Sequence, residues 1–322
     1  MSTRADDLVD RRRLRRKLTF WRAAAFIVLA LALAASVRWL MADRLGLSSE
    51  HIARVRIEGT ITEDERLLEV LENLRKSKTA AGVIVTINSP GGTTAGGEAV
   101  YEAVRRLAAE KPVAAQIGTL AASAAYLVAN ATDHIVARQT SIVGSIGVII
   151  QFPEITELLN KIGVKVEEVK SSPLKAEPSP FNPTTDEERQ MLRAMLLDSY
   201  NWFVDIIAER RPLTRAEALS LSDGSIFTGR QAVELKLVDA LGGEHEARAW
   251  LNKQGVSEDL EIVEWKPRES GGFPLLPGFA TSLAEYIGLS RQNDLVRLLG
   301  VDRIFLDGLL SLWQPEKVGL PE

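Results

Sequence analysis

The chain has 322 residues and a formal charge of -4, with 46% hydrophobic and 25% charged side chains, no cysteine and three histidines. Its length permits one large domain with appendages or two modest domains, and the weak net acidity makes nucleic acid an unpromising partner. Without cysteine, neither disulfides nor thiol chemistry is available, so an apolar core must hold any domain together.

Residues 1–17 form a basic tail in which Arg4, Arg11, Arg12, Arg13, Arg15, Arg16 and Lys17 outnumber Asp6, Asp7 and Asp10. Ala23 to Val37 follows, an apolar run broken by Ser36 alone. With extension to residues 18–41 it reaches about 36 Å as a helix, enough for a bilayer core if Arg22 and Arg38 snorkel and Trp21 and Trp39 lie at the interfaces. We expect one transmembrane helix over 18–41, with residues 1–17 cytoplasmic and a linker at 42–50. A signal peptide cleaved near Ala30-Leu31-Ala32 and a buried core helix are the competing readings.

From residue 51 the pattern changes to short β-branched runs at 52–57, 83–87, 113–117, 134–137, 145–150 and 165–169. Between them, Leu67, Leu68, Leu71 and Leu74 mark one amphipathic helix, and Val100, Val104 and Leu107 mark another. A third, over 122–131, is apolar on most sides. Strands alternating with helices predict an α/β fold built on a mainly parallel sheet. Four prolines between Pro173 and Pro183 require an extended loop there. Thr185 with Glu188 is a capping signal that opens a long helix from Asp186 to about Arg210, with Met191, Met195, Tyr200 and Phe203 on its packed face. This domain, 51–265, gives way to a proline- and glycine-rich linker and a C-terminal amphipathic helical segment, together 266–322. The apolar residues at 280–313 recur at mixed helical spacing and suit packing on the core, on another subunit or on a membrane surface.

Two segments suggest chemistry. In Ile87-Asn88-Ser89-Pro90-Gly91-Gly92 a proline and two glycines turn the backbone sharply and expose amides, which can stabilise an oxyanion. A phosphate loop is the alternative, but no Gly-Lys-Ser/Thr follows and the dinucleotide-binding glycine spacing is absent. In Gly118-Thr119-Leu120-Ala121-Ala122-Ser123-Ala124-Ala125-Tyr126, small residues lead into an apolar helix at Ser123, a position suited to a helix cap or a nucleophile. None of His51, His134 and His245 has the neighbours of a triad member. A lysine can serve as base where desolvation favours its neutral amine, and Lys175 lies in the proline-fixed loop between Leu174 and Ala176.

These segments, together with Gly144-Ser145-Ile146-Gly147-Val148, Ser179-Pro180-Phe181 and the run from Gly224 to Ala232, resemble the signal peptide peptidase A family over residues 52–245. These are serine–lysine peptidases on a ClpP/crotonase-like fold of repeated β-β-α/β-α-β units. The resemblance implies that Ser123 is the nucleophile, Lys175 the general base and Ser145 the serine that orients the lysine. It also implies an oxyanion hole formed by the backbone amides of Gly91 and Ala124. Ala124 and Ala125 stand where the family usually has glycines, which bears on the shape of that hole. The implied protein is a serine endopeptidase of the bacterial inner membrane, needing no metal or cofactor. Its catalytic domain is extracytoplasmic and degrades remnant signal peptides or other apolar peptides. A single-length chain implies a homo-oligomer whose dyads are completed between protomers. A related protease cutting one specific membrane protein, or an inactive membrane scaffold, are the alternatives.

Overall fold

The computed structural model describes residues 20–33, 36, 49–267 and 310–312. The chain divides into two units, Met1–Glu50 with Ser77–Thr79, and His51–Lys76 with Ala80–Glu322. In the first, residues 20–33 form helix α1, on which Phe20, Trp21, Phe26 and Leu29 are exposed. At 1.5 Å per residue this described stretch is about 21 Å long, short of a hydrocarbon core of about 30 Å. Among the described residues no helix is long and apolar enough to cross a membrane. The transmembrane helix expected over 18–41 is therefore not supported by its described part; residues 18, 19, 34, 35 and 37–41 lie outside the described residues, as do 1–17.

The second unit alternates strands and helices in the order β1 (His51–Glu58), α2 (Glu65–Lys76), β2 (Ala80–Ser89), β3 (Gly91–Thr93), α3 (Thr94–Ala108), β4 (Val113–Ala122), α4 (Ala124–Asn130), β5 (His134–Ala137) and β6 (Ile142–Gly144). It continues with α5 (Thr156–Ile162), α6 (Asp186–Arg210), α7 (Arg215–Ser220), β7 (Ile226–Thr228), α8 (Gly229–Glu234), β8 (Ala240–Leu241), α9 (Glu244–Lys253), β9 (Ile262–Glu264) and β10 (Leu310–Leu312). The main sheet runs β7-β6-β4-β2-β1-β9, with β5 and then β8 branching from β4. Every pairing in it is parallel except β6 with β7. Strand β4 has two partners along its length: residues 114–117 pair β5 and residues 120–122 pair β6. Its second half thereby carries the chain to Ser123.

Alternation along the strands sorts side chains between two cores. Ala53, Val55, Val83, Val85 and Ile87 face Leu71, Leu74, Val100, Val104 and Tyr126 of α2, α3 and α4. Ile52, Ile84, Ala114 and Val136 face Ala247 and Leu251 of α9 on the other side. Both faces being covered explains why these strands read as continuous apolar runs.

Four expectations need correction. The strand expected at 145–150 ends at Gly144, because Gly144 and Ser145 take φ of 103° and 50°, which breaks the extended conformation. The run at 165–169 forms no strand, and Val166 and Val169 are exposed: alternation alone makes no strand without a neighbour to bond. On α6, Met195 is exposed, and the buried apolar residues are Phe203, Val204, Ile206 and Ile207 near the C-terminal end. In the C-terminal segment Leu310–Leu312 is a strand rather than a helix, antiparallel to β3; residues 268–309 and 313–322 lie outside the described residues.

Candidate active site

Ser123 is the single residue between β4 and α4. Its backbone takes φ 57° and ψ -121°, a conformation that costs a non-glycine residue about 1–3 kcal/mol and persists only where the surroundings enforce it. Three neighbours do so. The Ser123 amide donates to the Gly144 carbonyl at 2.8 Å, its carbonyl accepts from Leu127 N–H at 3.0 Å, and Ala122 pairs with Gly144 across the sheet. Although Ser123 occupies the N-cap position of α4, its side chain makes no capping hydrogen bond. The hydroxyl donates instead to the Gly147 carbonyl, at 3.4 Å. Capping therefore does not account for a serine here, and strain at a sharp strand-to-helix turn is the arrangement that presents a nucleophile.

Helix α4 is held from several directions. All seven of its residues are buried. Tyr126 Oη donates to the Leu237 carbonyl at 2.6 Å, and burial pushes its phenol well above the usual range. At the other end of α4, Arg210 donates through Nε to the Asn130 carbonyl at 2.9 Å and through Nη2 to the Thr132 carbonyl at 3.0 Å. A guanidinium on the last carbonyls of a helix offsets both their missing partners and the negative end of the dipole. The Ala124 methyl packs over Gly97 of α3, where a Cβ would come within 2.9 Å of it. The alanine that stands in place of a glycine thus fills a helix contact.

Ser145 is in the turn after β6. Its amide donates to the Ser225 carbonyl at 2.7 Å, which fixes the turn against the approach to β7. Ser123 and Ser145 line one cavity of about 510 Å³ with Ile146, Gly147, Val148 and Ile149. The opposite wall is Arg193, Leu196, Leu197 and Tyr200 of α6, together with Ser222, Asp223 and Gly224. The sequence reasoning did not assign these wall residues to the site. Their signal was the spacing of 193, 196, 197 and 200, which puts them on one helix face. Tyr200 Oη donates to the Ser222 carbonyl at 2.7 Å, and burial, then the charge of Asp223, raises its phenol. Hydrogen bonds from Ser225 hold the Asp223 carboxyl below its usual range. The cavity is thus apolar along Ile146, Val148, Leu196 and Leu197, with one charge of each sign at Arg193 and Asp223.

The glycine turn lies next to the approach to Ser123 in the sheet, Ser89 pairing with Ala121. Gly91 has φ 109°, and its amide donates to Ser89 Oγ at 3.1 Å. Lys175 is exposed, on a turn in which its amide donates to the Ser172 carbonyl at 3.1 Å. It is not among the residues that line the Ser123 cavity. Within the chain the structure brings Ser123, Ser145 and Ala124 together, with the Ser89–Gly91 turn beside them, and leaves Lys175 outside the cavity.

Comparison with known proteins adds independent observations. A family model described as Peptidase family S49 matches residues 105–257, and one described as Clp protease matches 47–153. The α/β architecture with its mostly parallel sheet is accordingly ClpP-like. A candidate protease of Methanocaldococcus jannaschii is 35% identical over 238 residues, covering 72% of this chain and 76% of the relative. A candidate signal peptide peptidase of Enterococcus faecium is 29% identical over 263 residues, covering 76% and 74%. Protease 4 of Haemophilus influenzae is 30% identical over 206 residues, covering 61% of this chain and 33% of the relative.

Proposed function

The chain belongs to peptidase family S49 and is a serine peptidase, and from that premise we propose that it is a membrane-associated endopeptidase that degrades remnant signal peptides with Ser123 as nucleophile. The observation that carries the assignment is the strained Ser123 backbone at the β4–α4 turn, with a hydroxyl that does not cap its helix. In the mechanism, Ser123 Oγ attacks the scissile carbonyl carbon while the Lys175 amine takes the hydroxyl proton. The backbone amides of Gly91 and Ala124 receive the charge that develops on the carbonyl oxygen. Gly91 N–H reaches it once the Ser89 hydroxyl that now accepts its hydrogen bond rotates away. Collapse breaks the peptide C–N bond, the lysine returns its proton to the leaving amine, and water hydrolyses the acyl-enzyme ester. Ser145 orients the lysine.

Lys175 comes from a neighbouring protomer in this proposal. Support lies in its absence from the cavity walls and in the segment that carries it: α5 buries none of its residues, and Leu158, Ile162, Val166, Val169 and Phe181 are exposed. A neighbour covering this arm would bury apolar surface and exclude water from the lysine together. The substrate class rests on the apolar cavity walls, and lipid association on the exposed apolar side chains of α1 and the basic residues before it. In this proposal residues 1–17 are cytoplasmic and the catalytic unit lies on the extracytoplasmic side of the bacterial inner membrane. The deciding experiment expresses Ser123→Ala in cells and identifies the peptides that accumulate in membranes. Signal-peptide fragments are expected; accumulation of one intact membrane protein in their place would overturn the substrate assignment.

A further inference from the structure

Residues 168–179 are tied together by side chains where no strand forms. Ser179 Oγ donates to Glu168 Oε1 at 3.0 Å, and Lys170 forms an ion pair with Glu177 as well as with Glu168. Residue 168 thus meets 179 and residue 170 meets 177, so the chain folds back on itself around Pro173 and Leu174, with Lys175 near the apex. Glu177 is the most enclosed member: its side chain is 3% exposed, against 21% for Lys170 and 31% for Glu168, in an arm whose apolar residues are exposed. Its carboxylate also accepts from Ser179 N–H at 2.6 Å and from Asn182 Nδ2 at 3.4 Å, and the hydrogen bond from Lys170 holds it below its usual range. Inside the loop, Lys175 N–H donates to the Ser172 carbonyl at 3.1 Å and Glu177 N–H to the Leu174 carbonyl at 3.4 Å.

We infer that Glu177 and Lys170 are positioning residues for the general base: their clasp shapes the loop of residues 171–176 so that Lys175 is presented to Ser123 in one geometry. This inference rests on the proposed roles of Ser123 and Lys175. Three observations carry it. A buried carboxylate persists only where it is paired and hydrogen-bonded, and Glu177 is both, two residues from Lys175. Ala176, between the base and the clasp, takes φ 63°, a left-handed turn that strains an alanine and requires the loop ends to be held. Lys170 takes up both carboxylates, while the Lys175 amine meets no acceptor among the described residues and stays available. A reacting group on a loop is placed precisely only where further contacts lock it, and a misplacement of about 1 Å is enough to slow the chemistry.

The test measures hydrolysis of a short apolar peptide, labelling by a serine-reactive phosphonate and melting temperature in the full chain for Glu177→Gln, Lys170→Met and Lys170→Arg. Glu177→Gln and Lys170→Met are expected to lower kcat and the labelling rate roughly a hundredfold, with parental KM and melting temperature. Lys170→Arg keeps both ion pairs and is expected to retain most of the parental kcat. The defect should also belong to the lysine side of the dyad. Co-assembled in equal amounts with Ser123→Ala, Glu177→Gln is expected to recover about a quarter of parental activity; co-assembled with Lys175→Ala it should gain nothing. Parental kcat in Glu177→Gln, or a rise in KM alone, would overturn the inference and leave the peptidase assignment standing. So would a loss that Ser123→Ala fails to complement while it complements Lys175→Ala, since that marks misfolding. Full activity in Lys175→Ala would overturn the role of Lys175, and the inference with it.

Discussion

The Ser123 amide and the Gly144 carbonyl are joined at 2.8 Å, which makes the backbone of the proposed nucleophile and the turn bearing Ser145 one hydrogen-bonded unit. The strained Ser123 conformation and the positive φ of Gly144 and Ser145 are the two sides of that bond.

Removing the hydroxyl should separate chemistry from stability at this position. Ser123→Ala and Ser123→Gly are both expected to lose phosphonate labelling and to cut peptide hydrolysis by at least about a thousandfold. Glycine relieves the backbone strain that alanine retains, so Ser123→Gly is expected to be about 1 kcal/mol more stable than Ser123→Ala in urea denaturation. Equal midpoints for the two would show that the turn is unstrained.

If each dyad joins two protomers, defects in different chains complement. Ser123→Ala and Lys175→Ala are each expected to be inactive. Co-assembled in equal amounts they should recover about a quarter of parental activity, since a working site then needs one intact serine beside one intact neighbouring lysine. Persistent inactivity of a mixture that demonstrably exchanges subunits would place both groups of each dyad in one chain.

The glycine turn has little room. Gly92→Ala drives a methyl into the Ile61 carbonyl and Gly97→Ala drives one against Ala124 of α4. Each is expected to lower stability by about 2–3 kcal/mol, within the range of overpacking, with a matching fall in melting temperature. Gly59→Ala, at a site with open space around the added atom, tests positive φ without a clash and is expected to cost less, about 1 kcal/mol.

Acid sensitivity should centre on Asp239. Burial works to raise its carboxyl, but the paired hydrogen bonds and charge of Arg211, at 2.8 and 3.0 Å, outweigh it and hold the group below the usual carboxylate range. Its folded pKa being the lower one, the stabilisation is fully present above the unfolded value of about 3.9 and is lost as pH falls through the folded pKa. Asp239→Asn leaves Arg211 buried without its partner and is expected to cost about 3 kcal/mol at pH 7. The stability gap between parent and variant should narrow below about pH 4; a gap independent of pH would assign the loss to packing.

Much of this architecture was legible in the residues, for identifiable reasons. Strand β5 and helix α6 match their expected bounds because a short continuous apolar run and the Thr185–Glu188 cap are local signals. The end of β6 was not legible: Ser145 gives no hint that its amide is committed to the Ser225 carbonyl in a left-handed turn. Nor could the 165–169 pattern show that no strand among the described residues pairs with it. At the site, the local context of Ser123 favours a helix cap over a nucleophile; the backbone conformation that separates them is a tertiary property. The α6 wall escaped notice because Arg193 and Leu196 acquire their meaning only when that helix is laid across the cavity from Ile146.

Helix α4, with all seven residues buried, has a consequence for how the protein fails. Its amides can exchange with solvent only when the whole unit opens, since no partial opening frees a helix enclosed on every side. The catalytic turn therefore has no loosened intermediate in which it wanders while the rest stays folded. On heating, α4 and the sheet should melt along a single curve.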